Sequence, residues 1–257
     1  MTDTDALTLP EQDEHRLILD LAAGDLTLLA RLNERELTVD LLAELRRQPF
    51  ASRLALGPDS DAGRAAFAIL DDALGSDECD GSPAAMDRLH ADFAAIYLNH
   101  TYSVSPCESV WVDPEGLVLQ EAMFEIRRWY NHYGLAAANW RIMSDDHLVQ
   151  QLRFVAHLIS DDVAHAPKDA AAFLDHHILR WVEPFAARTA QRCQTQFYAG
   201  LVLVTAATVH RLRRMLAEVA GMPLIEPEPI EEEKRRRRED AAKRASEAYF
   251  PGAAPSW

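Results

Sequence analysis

Residues 99–111 read NHTYSVSPCESVW, and they interrupt a chain that is otherwise rich in Ala, Leu, Arg and Glu. β-Branched, aromatic and polar side chains crowd around the Pro106-Cys107 pair. Such residues favour turns and extended backbone over helix. We therefore predict an irregular loop between two helices, and loops held by a rigid scaffold often carry binding residues.

On both sides of this loop, apolar residues recur at the 3.6-residue spacing of amphipathic helices. Thr38 and either Asp59 or Ser60 are suitable N-caps, and Gly134 is a suitable helix end. The pattern predicts helices over residues 11–32, 86–97, 119–133, 146–159, 168–181 and 184–219, and two more after the caps. No segment alternates as a strand does. The predicted fold class is all-α, a single multi-helix bundle with one irregular inter-helix loop.

Composition narrows the functional classes. The formal net charge of −15 disfavours a nucleic-acid partner, because phosphates would be repelled by most of the surface. The three cysteines are far apart, which is typical of a reducing cytoplasm. The N-terminal residues lack the basic and apolar regions of a signal peptide, and no apolar run is long enough for stable membrane insertion. We therefore expect a cytoplasmic protein.

The last residues differ in character from the rest. We predict an all-helical domain over residues 1–221 and a charged tail, flexible or partly helical, over residues 222–257. The tail holds a Glu-Pro-Glu-Pro linker at 226–229 and the run EEEKRRRR at 231–238, whose acids and bases support an exposed helix. A solvated tail is favoured over a nucleic-acid adaptor, because the acids neutralise the arginines.

Catalytic motifs are scarce. The chain contains no Walker loop, no GxGxxG and no GxSxG elbow. Its ten histidines lack the paired helical spacings of a bundle metal site, and a structural role for Cys107 is favoured over a nucleophilic one. We predict no cofactor, no metal and no enzymatic activity. The alternative is a helical-bundle enzyme that binds a metal or cofactor through its histidines.

Two local features suggest a binding surface. The segment Ser144-Asp145-Asp146-His147 precedes a helix, where Ser144 or an aspartate would cap it. The carboxylates and the imidazole would also suit a basic peptide. Five aromatic residues lie within thirty positions, as core residues or as the lining of a groove for an apolar peptide. They are Trp111, Trp129, Tyr130, Tyr133 and Trp140.

Five stretches, taken in order, resemble the TorD/DmsD/NarJ-like chaperones of molybdenum enzymes. SVSPCESVW (103–111) resembles the P-x-E-S signature of that family, and WYNHYGL (129–135) resembles its Tyr-x-x-x-Gly-Leu helix end. SDDHLVQQLRFVAHL (144–158) is similar to its x-Asp-His-Leu segment. FLDHHILRWVEPFAAR (173–188) and FYAGLVLVT (197–205) resemble its last two helices. One departure is Met143-Ser144, where the family usually has Glu-Pro.

The resemblance implies an all-helical cytoplasmic chaperone without a catalytic reaction. Such a protein binds the apo catalytic subunit of a molybdopterin oxidoreductase, its client, and in many members the twin-arginine signal peptide of that subunit. It assists cofactor insertion and prevents premature export. An acidic protein with an aromatic groove would complement the arginines and the apolar region of such a peptide. The predicted binding residues are Pro106, Glu108, Ser109, Trp111, Trp129, Tyr130, Asp145, Asp146 and His147.

Overall fold

The computed structural model describes residues 9–137, 139–160, 166–219, 221–225 and 229–248. It confirms the all-α bundle, and none of these residues forms a named strand. The helices are α1 (Leu9–Glu34), α2 (Val39–Leu45), α3 (Asp61–Gly75), α4 (Pro83–Phe93), α5 (Glu108–Val112), α6 (Glu121–His132), α7 (Leu148–Ser160), α8 (Ala166–Phe173), α9 (Leu179–Arg192), α10 (Gln196–Val219) and α11 (Ile230–Ala248). None of the described helices has the length and apolar character that crossing a membrane requires.

Two long-range helix pairs make the most extensive contacts of the bundle: α1 packs along α7, and α3 packs along α10. The second pair is close because Gly200 of α10 lies directly against the backbone of Leu70 in α3. A Cβ atom at position 200 would be 2.7 Å from the Leu70 N and Cα atoms. The contact therefore requires glycine, since real Cβ atoms are not found so close to backbone.

Several local signals act as the sequence predicts. The Thr38 side chain accepts a hydrogen bond from the Leu41 N–H group at the start of α2. Ser60, rather than Asp59, caps α3 through the Gly63 N–H group. Gly134 follows α6 with φ of +68°, the left-handed conformation that ends helices at low steric cost.

The single helix predicted over residues 184–219 is wrong. Pro184 lies inside α9, and the chain breaks after Arg192 before α10 begins at Gln196. The Asp92 carboxylate, about a hundred residues away along the chain, accepts hydrogen bonds from the Gln194 and Thr195 N–H groups at 2.7–3.0 Å. This side chain from α4 stabilises a break that local periodicity does not reveal.

Two helical runs contain π-helical turns, at Ala94–Leu98 after α4 and at Leu174–Ile178 between α8 and α9. The second turn carries the buried Asp175, which pairs with the equally buried Arg213 of α10 through two hydrogen bonds of 2.8 Å. Arg213 also donates to the carbonyl oxygen of Pro223 at 2.5 Å. The residues just after α10 are therefore tied to the bundle.

The tail contains a helix where the structure describes it. Arg238 of α11 donates a 2.5 Å hydrogen bond to the carbonyl oxygen of Pro114, which follows α5. Ile230 packs against the core. Residues 226–228 of the predicted linker and residues 249–257 lie outside the described residues. The division into a domain over 1–221 and a tail over 222–257 stays a prediction.

Candidate functional site

The two motif segments of the sequence meet in space. The Glu108 N–H group donates to the Asp146 carbonyl at 3.1 Å, and the Leu148 N–H group donates to the Pro106 carbonyl at 2.7 Å. Cys107 and His147 consequently form an isolated antiparallel bridge. We call this pairing of residues 106–109 with residues 145–148 the latch. It lies between the N-termini of α5 and α7.

The Asp146 carboxylate is the centre of the latch. It is fully buried, and its Oδ2 atom accepts hydrogen bonds from Ser109 N at 2.8 Å and Ser109 Oγ at 2.5 Å. Its Oδ1 atom accepts a third, from Ser144 Oγ at 2.5 Å. The carboxylate thus holds the first turn of α5, which suits the positive end of a short helix.

His147 is also part of the latch. Its Nδ1 atom accepts a 3.2 Å hydrogen bond from Val149 N. Helix α7 therefore begins at Leu148 with His147 as its cap, and the prediction of a cap by Ser144 or an aspartate is wrong. Burial, with smaller contributions from His100 and Arg153, lowers the pKa of His147 to about 3. The imidazole is therefore neutral at physiological pH, as an Nδ1 acceptor must be.

Glu108 extends the latch into the bundle. Its buried carboxylate accepts a 3.1 Å hydrogen bond from Gln151 Nε2 of α7 and lies 3.2 Å from His177 Nδ1. The Arg180 guanidinium is 3.8 Å away on α9. A carboxylate surrounded by these groups connects α5 to three other parts of the bundle, because each partner comes from a different element.

Solvent exposure distinguishes core from groove for the aromatic residues. Trp111 is 5% exposed and Tyr130 is 4% exposed, and each is hydrogen-bonded: Trp111 Nε1 donates to the Ser105 carbonyl and Tyr130 Oη donates to the Asp145 carbonyl. Both are core residues that position the latch. Trp129 is half-buried, with its ring edge-on to Phe173.

Asp145 lies at the surface end of the latch. Its side chain is 4% exposed, and its Oδ2 atom accepts hydrogen bonds from Arg127 Nε at 2.9 Å and Nη2 at 2.5 Å. These two residues line a cavity of about 210 Å³ together with Tyr130 and Trp140. Trp140 is 58% exposed. We call this space the Asp145 cavity.

Residues 57–187, about half of the chain, match the model of the family described as "Nitrate reductase delta subunit". That match contains α3 to α8 and both sides of the latch.

The chain belongs to the nitrate reductase delta subunit family.

Curated relatives agree with the family assignment. "Chaperone protein TorD" of Vibrio cholerae is 26% identical over 141 residues, which cover 51% of this chain and 64% of that protein. The chain therefore spans less than two thirds of the length of this relative. "Chaperone protein TorD" of Aliivibrio fischeri is 28% identical over 192 residues, 69% of this chain and 86% of that protein. The predicted resemblance to TorD/NarJ-like proteins is confirmed, and these relatives are named as chaperones, not enzymes.

In this family member, the nine predicted binding residues fall into two groups. Most belong to the latch or support it, and their polar atoms contact other parts of the chain. Asp145, Trp129 and the buried Tyr130 line cavities. Whether any of the nine contacts a client stays a prediction.

The enzyme alternative requires a metal or cofactor bound through the histidines. Among the residues that the structure describes, no cluster of three or more His, Cys, Asp or Glu side chains has the arrangement of a metal site. Burial raises the pKa of the Cys107 thiol well above its usual range, and the nearby Asp146 adds to the shift. The thiol is therefore far from the reactive thiolate state.

Sequence reasoning missed several contributors to the region around the latch, three of which lie on α6, α7 and α9. Arg127 forms the ion pair with Asp145, Gln151 bonds Glu108, and Arg180 approaches the same carboxylate. Arg127 and Gln151 lie in ordinary amphipathic helices, so their local patterns look like those of many helix-surface polar residues. They could be found only from the arrangement of the helices.

Proposed function

We propose that this protein is a maturation chaperone that binds the apo catalytic subunit of a molybdopterin oxidoreductase in the cytoplasm. It holds that client until the molybdenum cofactor is inserted and, where the client carries a twin-arginine signal peptide, binds the peptide and delays export. The observation that carries the proposal is the family match over residues 57–187. The TorD relatives support it, since both are named as chaperones.

The geometry is suited to reversible binding of a peptide. The latch fixes the loop between α4 and α5 at one end of α7, so the surface beside it is held by a rigid scaffold. Next to it, the exposed Trp140 and the buried Tyr130 line one cavity with the Asp145 carboxylate. A surface that combines apolar rings with a carboxylate suits a segment that is both apolar and basic, as a signal peptide is.

The proposal is tested in the native host. We expect a tagged copy to enrich one molybdopterin-enzyme catalytic subunit, identified by mass spectrometry. In a strain that lacks the chaperone gene, that same subunit should accumulate without molybdenum and without activity, and the intact gene should restore both. A deletion strain whose molybdopterin enzymes keep full molybdenum content and activity would refute the proposal.

The role of the signal peptide is tested separately. The captured subunit is expressed with and without its N-terminal leader, and the affinity of the purified chaperone for each form is measured. If the leader is recognised, its removal should weaken binding strongly. Equal affinities would show that recognition lies in the body of the subunit, and the signal-peptide part of the proposal would fall.

A further inference from the structure

The outer face of α1 carries a row of apolar residues that the bundle leaves largely uncovered. Leu17 is 60% exposed, Leu21 is 50% exposed, and Leu28 is half-buried. Gly24 completes the row, and nothing lies within 4 Å of the position that its Cβ atom would take. Most buried residues of α1 lie on the opposite side of the helix. We call these four residues the α1 stripe.

The spacing of the α1 stripe is that of a helix packed against a second helix. Its members are separated by four, three and four residues, as in the a/d seam of a two-helix contact. Glycine weakens a helix interior relative to alanine, and no contact within the chain requires glycine at position 24. Close approach of another helix gives that glycine a purpose.

The order of residues along α1 is complementary to its own reverse. When two copies of α1 lie antiparallel, with a two-fold axis between residues 22 and 23, Leu17 meets Leu28 of the second copy. Leu21 then covers the backbone of Gly24 of the second copy, where no side chain is in the way. A surface that pairs with itself across a two-fold axis is what a homodimer requires.

Charges at the two ends of the α1 stripe favour the same arrangement. Glu14 lies one turn before the stripe and Arg31 one turn after it. Both are exposed, and neither forms an ion pair with a residue that the structure describes. Antiparallel packing places Glu14 beside Arg31 of the second copy, twice in each dimer. Parallel packing would place like charges opposite each other at both ends, which is unfavourable.

We propose that α1 is the interface of a homodimer, in which the α1 stripes of two copies pack antiparallel across a two-fold axis. The stripe shares no residue with the latch or the Asp145 cavity, and it precedes the family-matched residues 57–187. The inference therefore goes beyond the proposed function and does not depend on it. A single helix contact about 26 Å long is small for a stable interface, so we expect a Kd of about 10–100 μM.

The test is sedimentation equilibrium of the full-length protein at concentrations from about 1 to about 200 μM. We expect the average mass to rise toward that of two chains. Leu21→Glu should weaken dimerisation at least about thirtyfold, because it places a carboxylate at the apolar centre of the contact. Leu21 is too exposed in the single chain for this change to prevent folding. Leu117→Glu is the matched control: Leu117, on the loop between α5 and α6, is 49% exposed, and its replacement should leave the Kd unchanged.

Exchanging the end charges tests the antiparallel arrangement. Glu14→Arg and Arg31→Glu should each weaken the dimer about fivefold to tenfold, since each sets like charges opposite each other. The double variant should return to within about twofold of the parental Kd, because both ion pairs form again with reversed signs. In a parallel pair every one of these variants sets like charges opposite each other, so this pattern of loss and recovery would not arise.

A parent protein that is monomeric at every concentration would overturn the inference. So would a dimer that Leu21→Glu leaves intact, or a double charge variant that dimerises as weakly as the single ones. A monomeric parent protein that loses capture of its client on Leu21→Glu would assign the α1 stripe to the client, and the homodimer would be wrong.

Discussion

Replacing Asp146 with alanine tests whether the latch is a structural element. The carboxylate is fully buried and accepts three hydrogen bonds, two from Ser109 and one from Ser144. Each hydrogen bond to a buried charge contributes about 1.5–3 kcal/mol, but both hydroxyl groups can turn to other acceptors. The Ser109 N–H group cannot, so it would be left buried without its partner. We expect the free energy of unfolding to fall by about 3–4 kcal/mol, a large share of the total of a typical domain.

The assay is equilibrium urea unfolding followed by far-ultraviolet circular dichroism at neutral pH, with the m-value compared between variants. Asp145→Asn is the matched control, because it is the neighbouring buried aspartate and its carboxylate pairs with the half-exposed Arg127. That variant should lose about 1 kcal/mol or less.

If Asp146→Ala unfolds within about 0.5 kcal/mol of the parent protein, the reasoning is refuted. The carboxylate would then be available for other partners, as the sequence suggested. If the expected loss is found, a defect in client binding by the same variant cannot be read as loss of a direct contact.

Three further predictions follow from other parts of the fold. Because folding lowers the pKa of His147 to about 3 from an ordinary value of 6.5, its contribution to stability is complete above pH 6.5 and is lost as pH falls toward 3. His147→Asn keeps an acceptor for the α7 amide but cannot take up this proton. Between pH 7.5 and pH 5, the free energy of unfolding measured in urea should therefore fall by about 2 kcal/mol less for this variant than for the parent protein. Equal decreases in the two proteins would contradict this prediction. Gly200→Ala should lower the free energy of unfolding by about 2–3 kcal/mol, because the added Cβ would push Leu70 away. Gly24→Ala is the control and should be neutral or stabilising, since nothing lies within 4 Å of the added Cβ. Similar effects of both variants would argue against the close α3–α10 contact. Removal of residues 226–257 should lower Tm by only a few degrees, because α11 is strongly polar and little of it packs against the core. Loss of cooperative unfolding in the shortened protein would place the domain boundary elsewhere.

The all-α class could be predicted because it depends on local spacing. Leu, Ala and Phe recur every three or four residues, and Thr38, Ser60 and Gly134 act through hydrogen bonds or dihedral angles within their own turns. The break before α10 could not be predicted, since the groups that stabilise it come from Asp92 in another helix. Local sequence carries no signal for a partner that distant.

The candidate site was predicted as a set of residues but not as an arrangement. The motifs around Glu108 and Asp146 identified two segments that do meet. Their side chains were expected to face a ligand, yet both carboxylates are buried and hydrogen-bonded within the chain. A carboxylate at a helix start has the same local sequence whether it faces inward or outward. Only packing of the latch against α7 and α9 decides between the two.

The pairing of α3 with α10 has a consequence for synthesis on the ribosome. Roughly 130 residues separate Leu70 from Gly200, so at ordinary translation rates the apolar face of α3 is made about ten seconds before its partner. During that interval Leu70 has no α10 to cover it. A nascent chain that displays such a surface is prone to aggregation. We therefore expect the emerging protein to need general chaperones until α10 has left the exit tunnel.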